Sequence, residues 1–241
     1  MTPDHIPEVR PVPAVAITDR RWLVAQIEAA ARRYRYYRPA GLGVLWWYSA
    51  SSVLLGPPVE SLLHTGIATD PGLDTMTLYL HADGRLLDAR SDSLLGNDIT
   101  ADNTADNPDD NTTDNTAGNT EFAQLGRRLA RTLDTAINSV AGCTGAPVRA
   151  LWAIATDSLA NRVLWAGGDP AAARRLANTI NMAGPVLPMP RFLEVSGRTI
   201  VRRASCCLIY EAPGQVKCVS CPRQRPDDRL RRLREVFGQV P

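Results

Sequence analysis

A chain of 241 residues with 44% hydrophobic and 22% charged residues can bury a substantial core, as one large domain or as a body with a small appendage, so a disordered chain is excluded. The formal net charge of +2 is too small to point to nucleic acid. Its distribution is uneven: from Arg191 onward ten arginines and one lysine face five acidic residues, whereas the central segment is acidic.

Met1–Pro13 is polar and interrupted by prolines, so no secretory signal is expected. Asp19 is a plausible cap for a first helix, in which Trp22, Leu23, Ile27, Ala30, Ala31 and Tyr34 recur at helical spacing with arginines opposite. Leu42–Leu55 is dense in Trp46, Trp47, Val53 and Leu54 and reads as a buried helical or irregular core segment ended by Pro57-Pro58. It is too short and too polar for a membrane span, and no stable membrane insertion is expected. Residues 74–87 predict a β-hairpin: Met76, Leu78 and Leu80 alternate with Thr75, Thr77 and Tyr79, and Asp83-Gly84 supplies the turn. The polar alternates predict a sheet covered on one side only.

Residues 97–119 are almost all Asn, Asp, Thr and Ala with no periodic apolar face, and read as a disordered or loosely ordered surface insertion. The aspartates are not spaced as an EF-hand loop. Helical spacing resumes at Phe122, Leu125, Leu129, Leu133, Ile137 and Val140, again from Val148 to Val163, and again at Leu176, Ile180 and Ala183. An edge strand is expected around Thr199–Arg203. A closing helix capped near Asp227 carries Leu230, Leu233, Val236 and Phe237 on one stripe. The fold class is α+β: a mostly helical body with a small antiparallel β component, and a C-terminal metal-binding segment. The expected division is a body over residues 1–190 and a C-terminal segment over 191–241. No repeat and no Rossmann or P-loop glycine pattern is present. His5, His64 and His81 are scattered, which argues against a histidine-based catalytic site.

The chemistry concentrates in the last segment. Of five cysteines, four fall between Cys206 and Cys221: an adjacent pair Cys206-Cys207, ten intervening residues, then Cys218-Val219-Ser220-Cys221-Pro222. Cys143 stands alone. A Cys-x2-Cys turn brings two sulfurs to one metal, and Pro222 stiffens its exit. Adjacent cysteines in an extended strand point to opposite faces, so the chain must bend there, or each must serve a different iron. Pro213-Gly214 supplies a turn that folds the later pair back on the earlier one. Four thiolates without histidine suit tetrahedral zinc or the two irons of a [2Fe–2S] cluster. Disulfides pairing each of Cys206 and Cys207 with Cys218 or Cys221 are sterically conceivable, so three readings stay open. Reduced thiolates kept as ligands make the cytoplasm the economical location.

The run Arg202-Arg203-Ala204-Ser205-Cys206-Cys207-Leu208-Ile209-Tyr210, with Pro213-Gly214, Cys218 and Cys221-Pro222, resembles the C-terminal signature of the FhuF-like ferric-siderophore reductases. That family carries Cys-Cys-x10-Cys-x2-Cys on a [2Fe–2S] cluster. The resemblance covers about thirty residues. It implies Cys206, Cys207, Cys218 and Cys221 as cluster and metal ligands, with no acid–base or nucleophilic residue required. It implies one-electron reduction of a ferric siderophore, of hydroxamate or related type, with a ferredoxin or a flavin-dependent reductase as electron donor. Arg202, Arg203, Lys217, Arg223 and Arg225 would surround the centre and favour its reduced form, or dock an acidic donor. Nucleic acid is not an expected partner. Trp46, Trp47, Trp152, Trp165 and Tyr210 are candidates to line the substrate side, though tryptophans at helical spacing usually pack cores. The alternatives are a non-enzymatic protein with a structural four-cysteine zinc knuckle, and a cluster protein serving only as electron carrier or sensor.

Overall fold

A computed structural model describes residues 9–96, 113–184 and 187–238. In chain order the elements are β1 (Val9–Pro13), α1 (Arg20–Tyr34), α2 (Pro39–Thr65), β2 (Met76–His81), β3 (Leu86–Ser91), α3 (Thr113–Thr144), α4 (Val148–Trp165), α5 (Pro170–Met182), β4 (Phe192–Val195), β5 (Arg198–Val201) and α6 (Pro226–Phe237). The α+β class holds, with helix predominating. No helix among the described residues is long and apolar enough to cross a membrane.

Helix α2 is the axle of the body. It is apolar nearly all round, burying residues from Gly41 to Leu62, and such a helix is stable only when others surround it. Helices α4, α3 and α1 and strand β3 pack on it. Trp47 is fully buried, and its indole N–H donates to Leu151 O on α4 at 2.8 Å. Ser51 and Ser158 share a buried hydrogen bond of 2.8 Å between the same two helices. Trp46 meets Trp22 of α1 edge to face at 6.4 Å. The expectation that Pro57-Pro58 would end this helix is corrected: it runs on to Thr65. Each proline removes an N–H donor and normally costs about 3 kcal/mol in a helix interior. Burial of Leu54, Leu55, Val59 and Leu62 around the prolines outweighs that cost, and Arg162 of α4 donates to the Ser52 carbonyl at 2.7 Å just upstream.

The hairpin forms as expected, with β2 buried on alternate residues and Gly84 at φ 84° in its turn. Strand β1 adds a third, antiparallel edge, pairing Pro11 with Tyr79. A strand with two prolines is tolerated there because an edge strand needs donors on one side only. Asp19 caps α1, accepting from Arg21 N and Trp22 N. Helix α3 begins at Thr113, inside the Asn/Asp/Thr-rich stretch, and carries the amphipathic face from Phe122 to Val140. The rest of the expected insertion, 97–112, lies outside the described residues. Helices α3 and α5 cross closely: a Cβ on Gly126 would collide with Thr179 Oγ1. Strands β4 and β5 form a separate two-stranded hairpin, which delivers the chain to the cysteines.

Candidate metal centre

The cysteine segment is fastened to the body before it begins. Asp157, on the α4 face otherwise made of Leu151, Ile154, Ala155 and Leu159, is 2% exposed. Its carboxylate accepts from the Ala204 N–H at 2.7 Å and the Ser205 N–H at 3.1 Å. It also lies 3.5 Å from Arg203 Nε. Burial raises its pKa to about 6, against the pull of those two N–H groups and the guanidinium, so the carboxylate is ionised at neutral pH.

Beyond Ser205 the backbone bends as adjacent cysteines require. Leu208 takes the left-handed conformation at φ 63°, and its N–H points at Cys206 Sγ at 3.4 Å. A single 3-10 turn, Ile209–Glu211, follows. Glu211 is held from the body by the Tyr36 hydroxyl at 2.7 Å and by Arg38 Nη1 at 3.3 Å, and Ala212 plugs into the core. Gly214, at φ 74°, turns the chain back. Cys218 and Cys221 then sit on one tight turn closed by Cys221 N–H to Cys218 O at 3.1 Å. Gln224 braces that turn, its Nε2 donating to the carbonyls of Cys218 and Val219 at 2.8 and 2.9 Å. Arg232 of α6 holds Gln224 Oε1 at 2.7 Å and Lys217 O at 3.1 Å. The closing helix is thus the strap over the second pair of cysteines.

The two pairs meet. Cys206 Sγ and Cys221 Sγ are 3.5 Å apart, although they are fifteen residues apart in sequence. This is far beyond a disulfide bond of about 2.05 Å, and all five cysteines are free. It is close to the ~3.8 Å edge of a tetrahedron whose metal–sulfur bonds are about 2.3 Å. Cys206, Cys207 and Cys221 are buried and Cys218 is half-buried. A hydrogen bond between the adjacent thiols pushes Cys206 up and holds Cys207 down, to about 5, with the Ile209 N–H and Arg203 acting on Cys207 in the same direction. Burial pushes Cys218 up.

Arg203, expected from the sequence to flank the centre, is buried beside it. It is 6% exposed, its Nη1 lies 3.5 Å from Cys218 Sγ, and its guanidinium stacks on the Tyr48 ring at 4.7 Å. Its Nη2 has no hydrogen-bond partner, and Nε has only the ionic contact with Asp157. A buried cation with unsatisfied donors beside four sulfurs fits a centre that carries negative charge. Among the described residues, no three His, Cys, Asp or Glu side chains are arranged around one point as ligands to a single ion. Four thiolates, two for each iron, are the donor set a two-iron centre takes, and Cys206, Cys207, Cys218 and Cys221 fit it in kind and number.

The other sequence-predicted candidates divide cleanly. Trp46, Trp47 and Trp152 are core. Trp165 is exposed, and Tyr210, half-buried, has Lys217 over its ring at 5.5 Å. Arg202, Arg223 and Arg225 are exposed or half-buried at the surface. Cys143, on α3, neighbours Arg20 at 3.9 Å. His64 and His81 lie outside the site, and His5 lies outside the described residues. Asp157 and Tyr48 were not anticipated. A carboxylate inside a buried apolar helix face was the available signal for the first; Tyr48 had none.

Residues 203–223 match the family model of the FhuF 2Fe-2S C-terminal domain. No curated protein matches the chain, and no solved structure does. The matched residues run from the buried Arg203 through all four clustered cysteines, so sequence match and geometry fall on the same segment, and it is this C-terminal cysteine region that is similar to the FhuF 2Fe-2S domain.

Proposed function

We propose that this chain is a one-electron reductase of ferric siderophores and that Cys206, Cys207, Cys218 and Cys221 hold its [2Fe–2S] cluster. The observation that carries this reading is the approach of Cys206 and Cys221 to 3.5 Å within the segment that matches the FhuF 2Fe-2S domain. When bound, such a cluster supplies single electrons without bonds to protein being made or broken. The chain's own residues do the rest. Asp157 and the Leu208 turn set the first pair of sulfurs, and Gln224 and Arg232 set the second. Burial of three sulfurs keeps water away, while Cys218 is left at the surface side. Arg203 offsets negative charge. A ferric ion held by hard, anionic oxygen donors gains one electron, its donors bind the ferrous ion far more weakly, and iron leaves. No proton relay is needed.

Arg202, Arg223 and Arg225, with Lys217, form a basic rim suited to an acidic electron donor, a ferredoxin or a flavin-dependent reductase. A reduced cluster suits a reducing compartment, which supports a cytoplasmic location. The test is anaerobic purification. The reductase reading expects a brown protein with two irons per chain, bleached by dithionite and reoxidised by a ferric hydroxamate chelate. A colourless protein with one zinc would refute it in favour of a structural knuckle. A reducible cluster that ferric chelates fail to reoxidise would leave only an electron carrier or sensor.

A further inference from the structure

We propose that the pocket between α2 and α4 lined by Tyr48, Ser49, Ser52, Ser158, Asn161 and Trp165 is where the ferric chelate docks. This rests on the reductase reading, and it locates the acceptor site that the cysteine segment by itself does not.

Position is the first argument. Tyr48 and Ser52 are one turn apart on α2, and Ser158, Asn161 and Trp165 follow one face of α4, so both helices turn the same kinds of residue into one hollow of about 260 Å³. Tyr48 is part of the wall of that hollow. The Arg203 guanidinium lies 4.7 Å from the centroid of its ring, and Arg203 Nη1 is 3.5 Å from Cys218 Sγ. Cys218 is the least buried of the four clustered cysteines. A molecule seated against Tyr48 is thus linked to a cluster sulfur through two contacts, ring to guanidinium and guanidinium to Cys218 Sγ. Asp157 ties the same region together from beneath, since its backbone carbonyl takes the Asn161 amide at 2.8 Å while its carboxylate holds the 204–205 peptides.

Chemistry is the second. The lining offers the hydroxyls of Tyr48, Ser49 and Ser52, the Asn161 amide, the Trp165 indole and the apolar Val53, and no carboxylate; the Ser158 hydroxyl beside them is already shared with Ser51. Hydroxyl and amide groups suit the outward-facing oxygens of an oxygen-donor chelate. Carboxylates would compete for the iron or repel the donors, and the lining has none. Trp165 is 67% exposed, which core packing does not explain. It is nevertheless held in place, because Arg162 stacks on it at 5.4 Å and is itself fixed by Ser52 O at 2.7 Å and Glu60 at 3.0 Å. An ordered, exposed indole is a platform for the apolar linkers of a chelate. The uncharged lining matches a chelate in which three singly charged hydroxamates neutralise the ferric ion.

The experiment uses the cluster-loaded full chain and the gallium(III) complex of a linear tris-hydroxamate, which has the shape of the ferric complex but accepts no electron. Calorimetry should give saturable binding at one site. Trp165→Ala, which removes the exposed platform, and Ser49→Trp, which fills the hollow from an exposed position, should each weaken it tenfold or more with the visible spectrum unchanged. Met182→Ala, at an exposed apolar residue outside the pocket, should bind as the wild type does. Absence of gallium-chelate binding to the wild type, or wild-type affinity in both pocket variants, overturns the proposed site. The reductase reading would still stand if ferric chelates reoxidise the protein. Failure of that reoxidation with gallium binding intact would instead refute the reductase reading and leave the pocket as a binding site.

Discussion

Replacing Arg203 by glutamine removes a buried cation that touches the sulfur group, and the effect on the centre's reduction potential follows from Coulomb's law. The guanidinium lies 3.5 Å from Cys218 Sγ, so its distance to charge spread over the four sulfurs is roughly 5 Å. At an effective dielectric constant of about 20 the attraction for one added electron is about 3 kcal/mol. Asp157, on the far side of the guanidinium, opposes part of this. Its carboxylate already has a raised pKa, and losing Arg203 raises it further and neutralises it near pH 7, which gives some charge back. The net is about 1–3 kcal/mol. For a one-electron couple, with about 59 mV per tenfold change in equilibrium constant, the potential should fall by about 40–130 mV. Anaerobic potentiometric titration followed by visible absorption measures this directly. Arg203→Lys keeps the charge and should stay within about 30 mV of wild type, which separates electrostatics from damage to folding. A glutamine variant with an intact spectrum and an unshifted potential would refute the charge-offsetting role of Arg203.

Other expectations are simpler. Cys218→Ser should lose most bound iron and visible colour while far-UV circular dichroism of the helical body persists, whereas Cys143→Ser should keep both; iron analysis and spectra decide. Tyr36→Phe removes the 2.7 Å hydrogen bond to the Glu211 carboxylate and should destabilise the protein by about 1–2 kcal/mol in urea titration. Burial and Glu211 push the Tyr36 pKa up to about 12, above its unfolded value near 10. Its contribution is therefore complete below pH 10 and lost as pH rises towards 12, and the gap between wild type and variant should close over that window. Gly126→Ala places a methyl against Thr179 on α5; although alanine favours helix by about 1 kcal/mol, overpacking of about 1–3 kcal/mol should win, visible as a lowered Tm.

Local rules carried the fold as far as local causes reach. The Asp19 cap, the stripes of α3 and α4 and the Asp83-Gly84 hairpin are each set by neighbours a few residues away, and all were legible. The passage of α2 through Pro57-Pro58 was not, because surrounding helices, rather than its own sequence, override the prolines. Strand β1 was hidden for a related reason: its prolines forbid a central strand but not an edge. At the candidate centre the four cysteines were legible from spacing alone. Asp157 and Tyr48 join them only through contacts with residues about 47 and 155 positions away, and no motif records such a juxtaposition. Trp165 was singled out with four other aromatics, and only its exposure separates it from three of them.

The Asp157 carboxylate grips amide hydrogens, not side chains. Residues 204 and 205 can therefore change identity without loosening the junction between body and cysteine loop, provided neither becomes proline. A proline at either place would delete a donor, strand a carboxylate lone pair in the interior, and let the first two sulfurs drift from the second two. Tolerance of almost any residue there, with intolerance of that single one, is what a tether made of main chain implies.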